Sequence, residues 1–370
     1  MTQLVLISAG GTGGHLFPAE ALARALTARG WTVHLASDHR VDALSADFPA
    51  EAIHIIPSAT PGKNPLTALR AAFRLARGYL AARRIVARTR PHVAIGFGGY
   101  PTVPPMLAAA RAGVPAIVHD QNAVIGRANR FLAPHMTAIA TAVDVVVGAE
   151  PFRQRTVKTG NPVRAAVRKA AETPYPERTD DKPFRLLAFG GSQGARFLSD
   201  LVPAAVAELD ADHRRRLTIV QQCRPEDLDR VAEAYRTLGV EAELKTFFDD
   251  MPARIAWSHL VVSRSGASTV AELAVIGRPA MMVPLPHALD QDQKANATIL
   301  ATAGGGWMVE QSDMTPTVLA EHLTKGITDP GRLQAAAQAA GGIGQPDAVE
   351  NLADLVERVA KDKRVERTPA

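Results

Sequence analysis

The sequence has little that would crosslink the chain or carry it through a membrane. Its 370 residues include one cysteine, Cys223, so no internal disulfide can form. No stretch of about 18 apolar residues runs without charge or proline, so we expect no transmembrane helix. No basic segment precedes the first apolar run, residues 4–7, which we interpret as a buried strand and not a signal peptide. This composition suits a reducing compartment.

Acidic residues are missing from one long interval, which lies between Glu51 and Asp120. The basic residues in that interval are Lys63, Arg70, Arg74, Arg77, Arg83, Arg84, Arg88, Arg90 and Arg111. Their clustering in a chain of net charge +5 favours an anionic partner. Few aromatic residues accompany them, so nucleic-acid binding is a poorer interpretation than a membrane surface.

A helix predicted over residues 65–88 arranges part of this charge on one face. Arg70, Arg74 and Arg77 follow the i, i+4, i+7 spacing. An apolar stripe lies beside them, formed by Leu66, Leu69, Phe73, Ala76 and Leu80. A basic amphipathic helix is typical of proteins that bind anionic membranes. The alternative is a core helix that buries this stripe and leaves its basic face in water.

Strand and helix patterns alternate along the chain. Predicted strands cover residues 3–8, 32–36, 52–56, 92–96, 114–118 and 136–141, and predicted helices cover 18–29, 65–88 and 103–112. This alternation indicates an α/β protein with a parallel sheet. The polar segment 169–183 is predicted to be a linker or a long surface loop.

The pattern of a strand followed by a glycine turn occurs twice. It appears at 3–15 and again from the predicted strand 185–189 into Gly190–Ala195. We therefore predict two doubly wound, Rossmann-like domains that face each other across a cleft. They cover residues 1–163 and 164–345, and a helix at about 346–363 joins the first domain.

The first glycine turn, Gly10–His15, lacks the dinucleotide spacing G-x-G-x-x-G because residue 16 is leucine. Asp38, after the second strand, resembles the acidic residue that binds ribose in dehydrogenases, so a dehydrogenase is a weaker alternative function. His15 is a candidate general base, since imidazole titrates near neutral pH. A surface imidazole that caps the turn is the alternative. His119–Asn122 follows a strand, and Asp120 or Asn122 can equally serve as a helix cap.

Residues 264–273 combine a strand end, a small-residue turn and a helix start, which is a typical site for a diphosphate. Glu272, one turn into this helix, can accept hydrogen bonds from both ribose hydroxyls. Alternatively, Thr269 and Glu272 form a capping box. Amides at 284–297 can bind sugar hydroxyls, whereas Asp290 and Asp292 with His287 make a poor metal site.

Taken together, these motifs resemble one family over nearly the whole chain. The motifs are Gly10–His15, Gly98–Tyr100, His119–Asn122, Gly160–Arg164, Gly190–Ala195 and Arg264–Ala267. They resemble the MurG family of bacterial N-acetylglucosaminyltransferases in glycosyltransferase family 28. That resemblance implies the GT-B fold and an inverting hexosyltransferase. Its reaction moves GlcNAc from UDP-GlcNAc to the 4-hydroxyl of MurNAc on undecaprenyl-pyrophosphoryl-MurNAc-pentapeptide (lipid I), which forms lipid II.

The resemblance also implies roles for individual residues. Residues with an implied donor contact are Thr12, Gly13, Gly14, Asn122, Arg164, Ser192, Phe248, Ala267, Ser268, Thr269, Val270, Ala271, Glu272 and Gln293. Phe248 would contact uracil through its main chain. His15 is the first choice for the catalytic base and Asp120 the second, although the family often has glutamate at position 120. Arg70, Phe73, Arg74, Arg77 and Leu80 would contact the membrane.

The resemblance further implies no metal or other cofactor and a peripheral position on the cytoplasmic side of the inner membrane. Implied partners are UDP-GlcNAc, lipid I, an anionic membrane surface and other cell-wall synthesis and division proteins, but no nucleic acid. Three alternatives remain: a UDP-GlcNAc 2-epimerase, another GT-B glycolipid transferase, and a non-catalytic sugar-nucleotide-binding scaffold.

Overall fold

The computed structural model describes residues 2–10, 13–40, 48–60, 64–144, 146–179, 182–191, 194–286 and 291–366. The chain divides into two compact units. Unit 1 is Met1–Arg164 together with Pro346–Ala370, and unit 2 is Ala165–Gln345.

Unit 1 contains a parallel sheet of seven strands among the described residues. Its strands are β1 (Leu4–Ser8), β2 (Thr32–Ser37), β3 (Ala52–Ile55), β4 (Val93–Gly96), β5 (Ala116–Asp120), β6 (Ala138–Thr141) and β7 (Thr156–Lys158). Its helices are α1 (Gly13–Ala28), α2 (Pro65–Thr89), α3 (Val103–Arg111), α4 (Arg127–Leu132) and α14 (Ala348–Glu366).

The sheet of unit 1 has the order β3-β2-β1-β4-β5-β6-β7, and every strand pair in it is parallel. The order reverses between β1 and β4, which is the topological switch point where doubly wound sheets bind ligands. Helices cover both faces of this sheet, and central strand residues such as Val5, Ile7 and Ile95 are completely buried. This explains why the strands are continuous apolar runs instead of alternating ones.

The C-terminal helix α14 packs on unit 1 beside α1. Leu352 and Val356 belong to the same buried cluster as Leu22 and Leu26. At the edge of this contact, the guanidinium of Arg29 donates to Asp354 at 2.6 Å. The last helix of the chain therefore completes the core of the first unit.

Unit 2 repeats the architecture with a parallel sheet of six described strands. Its strands are β8 (Phe184–Phe189), β9 (Leu217–Gln222), β10 (Glu241–Lys245), β11 (Leu260–Ser263), β12 (Ala280–Met282) and β13 (Gly306–Met308). Its helices are α5 (Ala165–Ala171), α6 (Arg196–Glu208), α7 (Ala211–Arg215), α8 (Leu228–Leu238), α9 (Met251–Trp257), α10 (Ala267–Ile276), α11 (Asp292–Thr302), α12 (Pro316–Thr328) and α13 (Pro330–Gly342).

The strand order in unit 2 is β10-β9-β8-β11-β12-β13, so its switch point lies between β8 and β11. Both units thus have the same order of strands from one edge through the switch point. The predicted α/β class with two Rossmann-like domains is confirmed.

One detail of the predicted secondary structure was wrong. The first helix begins at Gly13, five residues before the predicted start, and Pro18 lies inside it. The segment 169–183, predicted to be a linker or a long surface loop, begins within α5, and its described residues from 172 onward lie in a loop outside helices and strands. The buried guanidinium of Arg278 donates to the carbonyls of Thr173 at 3.0 Å and Pro174 at 2.9 Å. These partners are about a hundred residues away along the chain, so local composition did not reveal them.

Candidate active site

The first glycine turn brings a helix N-terminus to the switch point of unit 1. Gly13 and Gly14 open α1, so their main-chain N–H groups have no partner within the helix. A side chain on Gly14 would meet no atom within 4 Å, and the residue is exposed. This start of α1 therefore offers the N–H of exposed Gly14 and the positive end of the helix dipole to an anion. Thr12 lies outside the described residues.

His15 lies against the second glycine turn of unit 1. A methyl group on Gly98 would lie 3.3 Å from its Cε1, and one on Gly99 would lie 3.5 Å from its Nε2. Both glycines have positive φ, at 90° and 78°. The turn after β4 thus needs glycine for its backbone and for the space that the imidazole occupies. His15 is half-buried.

Asp120, the second candidate base, is engaged by its own loop. Its Oδ1 accepts the N–H of Asn122 at 3.1 Å, while Oδ2 accepts the N–H of Gly126 at 2.8 Å and the side-chain amide of Asn129 at 3.0 Å. Only 1% of Asp120 is exposed, and burial raises its pKa. This geometry favours a role in shaping the loop over direct contact with a substrate. Sequence reasoning missed Asn129.

The neighbours of Asp120 tie the same loop to the sheet. The side-chain amide of Gln121 donates to the carbonyl of Phe97 at 2.8 Å. A hydrogen bond of 2.9 Å joins His119 Nε2 to the carbonyl of Gly160. Burial lowers the pKa of His119 to about 4, so its ring is neutral at pH 7. Asn122, in the same loop, is partly exposed.

Arg164 ends the first unit beside α1. Its guanidinium lies 4.4 Å from the ring centroid of Phe17, a cation–π distance. Gly13 packs against the same ring, since a methyl group there would lie 3.0 Å from Phe17. Phe17 therefore holds Arg164 close to the helix N-terminus at which an anion can bind.

In unit 2, helix α10 supplies the corresponding N-terminus. Its N-cap is Gly266, in extended conformation, and no side chain caps the helix. Helical residues near this end are Ala267, Ser268, Thr269, Val270 and Ala271. Because the helix starts before Thr269, the alternative capping box with Glu272 was wrong. The hydroxyl oxygen of Ser268 is buried and has no partner in the part of the chain that the structure describes.

The strand end before α10 contains Arg264, the first residue of the motif 264–273, which had no individual role in the sequence analysis. Arg264 is 8% exposed and donates to the carbonyls of Val283 and Pro284 at 3.0 and 3.1 Å and to Gln311 at 2.6 Å. Burial lowers its pKa. Arg264 thereby fixes the turn after β12 next to the start of α10. Its buried place at the strand end could not be read from one arginine in the sequence.

Gln293, the second residue of α11, is bonded to the same turn. Its side-chain oxygen accepts the N–H of Leu285 at 3.0 Å, and its carbonyl accepts the hydroxyl of Ser265 at 2.8 Å. The side-chain amide is therefore held in a fixed orientation beside the start of α10. Asp292 accepts the N–H of Gln293 at 2.9 Å. Ser192, His287 and Asp290 lie outside the described residues, and the described ones contain no group of three or more potential metal ligands.

Phe248 follows β10 in a short loop, residues 246–250, before α9. The residue is 3% exposed, so its ring is buried. The N–H of Phe248 has no hydrogen-bond acceptor among the described residues. The structure thus leaves available the kind of contact that the resemblance implies for this position.

Helix α2 presents two distinct stripes. It packs on unit 1 through small and β-branched residues, namely Ala71, Gly78, Ala82 and Val86. The large apolar stripe lies in solvent: Leu66 is 66%, Leu69 69%, Phe73 64% and Leu80 52% exposed. Arg70, Arg74 and Arg77 are exposed beside it. The alternative of a core helix that buries the large stripe was wrong. No described helix is long and apolar enough to cross a membrane.

Two doubly wound parallel sheets, each with a helix N-terminus at its switch point, define the α/β architecture of GT-B glycosyltransferases. Comparison with known families agrees. The glycosyltransferase family 28 N-terminal domain matches residues 5–141, and the glycosyltransferase family 28 C-terminal domain matches 185–358. The chain belongs to glycosyltransferase family 28.

Curated relatives match over almost their full length. One from Methylobacterium nodulans is 58% identical and one from Allorhizobium ampelinum is 54% identical. The matches cover 96% and 98% of this chain and 97% of each relative. Both are named UDP-N-acetylglucosamine–N-acetylmuramyl-(pentapeptide) pyrophosphoryl-undecaprenol N-acetylglucosamine transferase. Among solved structures, MurG of Acinetobacter baumannii superposes with a TM-score of 0.79 at 29% identity and covers 96% of this chain and 99% of its own.

Proposed function

We propose that this chain transfers GlcNAc from UDP-GlcNAc to the 4-hydroxyl of MurNAc on lipid I and so forms lipid II for peptidoglycan synthesis. The observation that carries this proposal is the identity of 50–58% over nearly the full length to relatives with that named activity. The relatives match both units, so the proposal covers the sugar donor and the lipid-linked acceptor together.

Unit 2 holds the donor. The first-turn N–H groups of α10 and the buried hydroxyl of Ser268 can donate to the diphosphate. Glu272, the sixth residue of that helix, accepts hydrogen bonds from the ribose hydroxyls. The fixed amide of Gln293 binds the sugar, and the main chain of Phe248 binds uracil. Arg264 fixes the turn after β12, whose Leu285 N–H binds the side chain of Gln293.

Unit 1 serves the acceptor and the leaving group. The MurNAc hydroxyl attacks the anomeric carbon, His15 takes its proton, and the bond from that carbon to the diphosphate oxygen breaks. UDP leaves with both bonding electrons, and Arg164 and the donors of the glycine turns stabilise its charge. Attack from the face opposite the leaving group inverts the anomeric centre.

His15 is a better base than Asp120 for a geometric reason. The imidazole is half-buried at the switch point, whereas both carboxylate oxygens of Asp120 accept hydrogen bonds from Asn122, Gly126 and Asn129. A base must come within hydrogen-bond reach of the proton that it removes. In this mechanism Asp120 holds the loop that presents Asn122.

The exposed stripe of α2 supports a peripheral position on the cytoplasmic side of the inner membrane. Four large apolar side chains stay in water while the same helix buries only small and β-branched residues. Exposed apolar surface of this kind marks an interaction site. The arginines beside it add attraction to anionic lipid, about 1 kcal/mol for each basic residue near the surface.

Release of UDP tests the function. Purified protein is mixed with UDP-GlcNAc, with and without a short-chain lipid I analogue, and UDP is measured by a coupled assay. We expect release that requires the analogue and is much slower with UDP-glucose. Folded protein that releases no UDP in the presence of the analogue would contradict the proposal.

A further inference from the structure

The loop at residues 246–250 is fixed by one arginine, Arg254 of α9. Its two terminal nitrogens donate to the two carboxylate oxygens of Glu243, with 3.0 Å from Nη2 to Oε1. Its Nε donates to Asp250 at 2.8 Å. Glu243 belongs to β10 and Asp250 ends the loop, so a single guanidinium joins the strand, the loop and the helix.

The ring of Phe248 is held by the same cluster. The Arg254 guanidinium lies 5.3 Å from the ring centroid, and the ammonium of Lys245 lies 5.5 Å from it. Lys245 also pairs with Glu243 at 3.2 Å. Two cations within cation–π distance, both bound to one carboxylate, keep the buried ring and its main chain in one position.

This cluster is stronger than an ordinary surface ion pair. Arg254 is only 23% exposed, its contact with Glu243 is bidentate, and Asp250 provides a further anionic partner. Bidentate, networked pairs are the case in which ion pairs contribute measurably. The hydrogen bond from Arg254 lowers the pKa of Glu243, so the pair stays charged in mildly acidic solution.

We propose that Arg254 is a positioning residue that sets the main chain of Phe248 for discrimination of the pyrimidine base of the donor. The inference rests on the proposed function, in which that main chain contacts uracil. Uracil presents an N–H donor next to a carbonyl acceptor, whereas cytosine presents an amino donor and a ring-nitrogen acceptor at the same edge. Main-chain groups can tell the two apart only when their orientation is fixed, because a mobile loop would adapt to either base.

The test replaces Arg254 with glutamine and measures binding of UDP and CDP by calorimetry, together with transfer kinetics. We expect roughly tenfold weaker UDP binding and a preference for UDP over CDP that falls by a similar factor, because charge-assisted hydrogen bonds are lost. The KM for UDP-GlcNAc should rise while kcat changes little. Arg254→Lys should recover part of the preference for UDP, since lysine keeps the positive charge but cannot make the bidentate contact with Glu243.

The matched control is Arg236→Gln, which breaks an exposed arginine–glutamate pair with Glu233 on α8. It should leave the UDP-to-CDP ratio unchanged. An unchanged ratio in Arg254→Gln, or a fall in thermal stability and kcat without a change in the ratio, would overturn the inference. Wild-type protein that binds UDP but transfers no sugar would count against the proposed function alone, and wild-type protein that binds no UDP would overturn both.

Discussion

A methyl group on Gly98 tests the assignment of His15 without touching the imidazole itself. Gly98 has a φ of +90°, and its added methyl group would lie 3.3 Å from Cε1 and 3.4 Å from Nδ1 of His15. Gly30, at the end of α1, has a φ of +84° and no atom within 4 Å of such a methyl group. Gly98→Ala and Gly30→Ala therefore share the backbone strain, but only the first displaces His15.

The magnitudes follow from these two observations. Each alanine forced into the left-handed region should cost about 1–2 kcal/mol of unfolding free energy. The crowded ring in Gly98→Ala must also shift by a few tenths of an ångström. Since a misplacement of about 1 Å can cost about 100-fold in rate, we expect a shift of this size to lower kcat by roughly 3- to 10-fold in this variant alone.

The assay is acceptor-dependent UDP release together with urea unfolding of both variants. His15→Ala should give the lowest kcat of the three variants, with a loss of about 100- to 10,000-fold and little change in the KM for the donor. Equal kcat losses in Gly98→Ala and Gly30→Ala would show that strain, not His15, controls the rate. Turnover of His15→Ala near the wild-type value would remove the residue from the role of base.

Two further predictions concern the membrane and pH. The double variant Leu69→Ser with Phe73→Ser removes two apolar side chains that are about two-thirds exposed. Each side chain should contribute about 1–2 kcal/mol to membrane binding, so the variant should bind anionic vesicles roughly 30- to 1000-fold more weakly. Phe247→Ser, 60% exposed in unit 2, is the matched control, and an equal loss there in a sedimentation assay would refute the assignment. Burial lowers the pKa of His119 and His259 to about 4 from 6.5. Between these two pH values the unfolded chain therefore binds more protons than the folded chain. Each histidine should lower the free energy of unfolding by about 2 kcal/mol between pH 7 and pH 5. Urea unfolding at the two pH values checks this, and equal stability at both would contradict the buried, neutral state of these rings.

The fold was largely predictable because its signals are local. Buried parallel strands are continuous apolar runs, and the glycine turns after β1 and β8 mark the two repeats. The start of α1 was misplaced because Gly13, Gly14 and Pro18 look like loop residues. A first helical turn needs no intrahelical N–H partners, so glycine is tolerated there.

Distant parts of the chain decided between the interpretations that the sequence left open. The stripe of α2 that packs on unit 1 is set by Gly78, since a methyl group there would lie 2.1 Å from the carbonyl of Pro57. Helical periodicity identified the large apolar stripe but could not say which stripe was buried. The capping box at Thr269 failed for a similar reason, because the end of β11 fixes the helix start at Gly266.

The site was predictable as a set of loops but not as a set of contacts. Glycine turns and polar residues after strands indicated where ligands bind, and the switch points of both sheets lie there. The roles of Arg264, Asn129 and Arg254 depend on carbonyl and carboxylate partners up to about 50 residues away along the chain. No spacing in the sequence encodes these partners, so only the folded structure reveals them.

The central claim is tested most directly by the structure of the product. UDP-GlcNAc and a short-chain lipid I analogue are incubated with the protein, and the new linkage is determined by nuclear magnetic resonance and mass spectrometry. The account predicts one GlcNAc joined in β configuration to the 4-hydroxyl of MurNAc, because direct displacement inverts the α-linked donor. Retention of the α configuration, or conversion of UDP-GlcNAc to its 2-epimer with the acceptor unchanged, would contradict it.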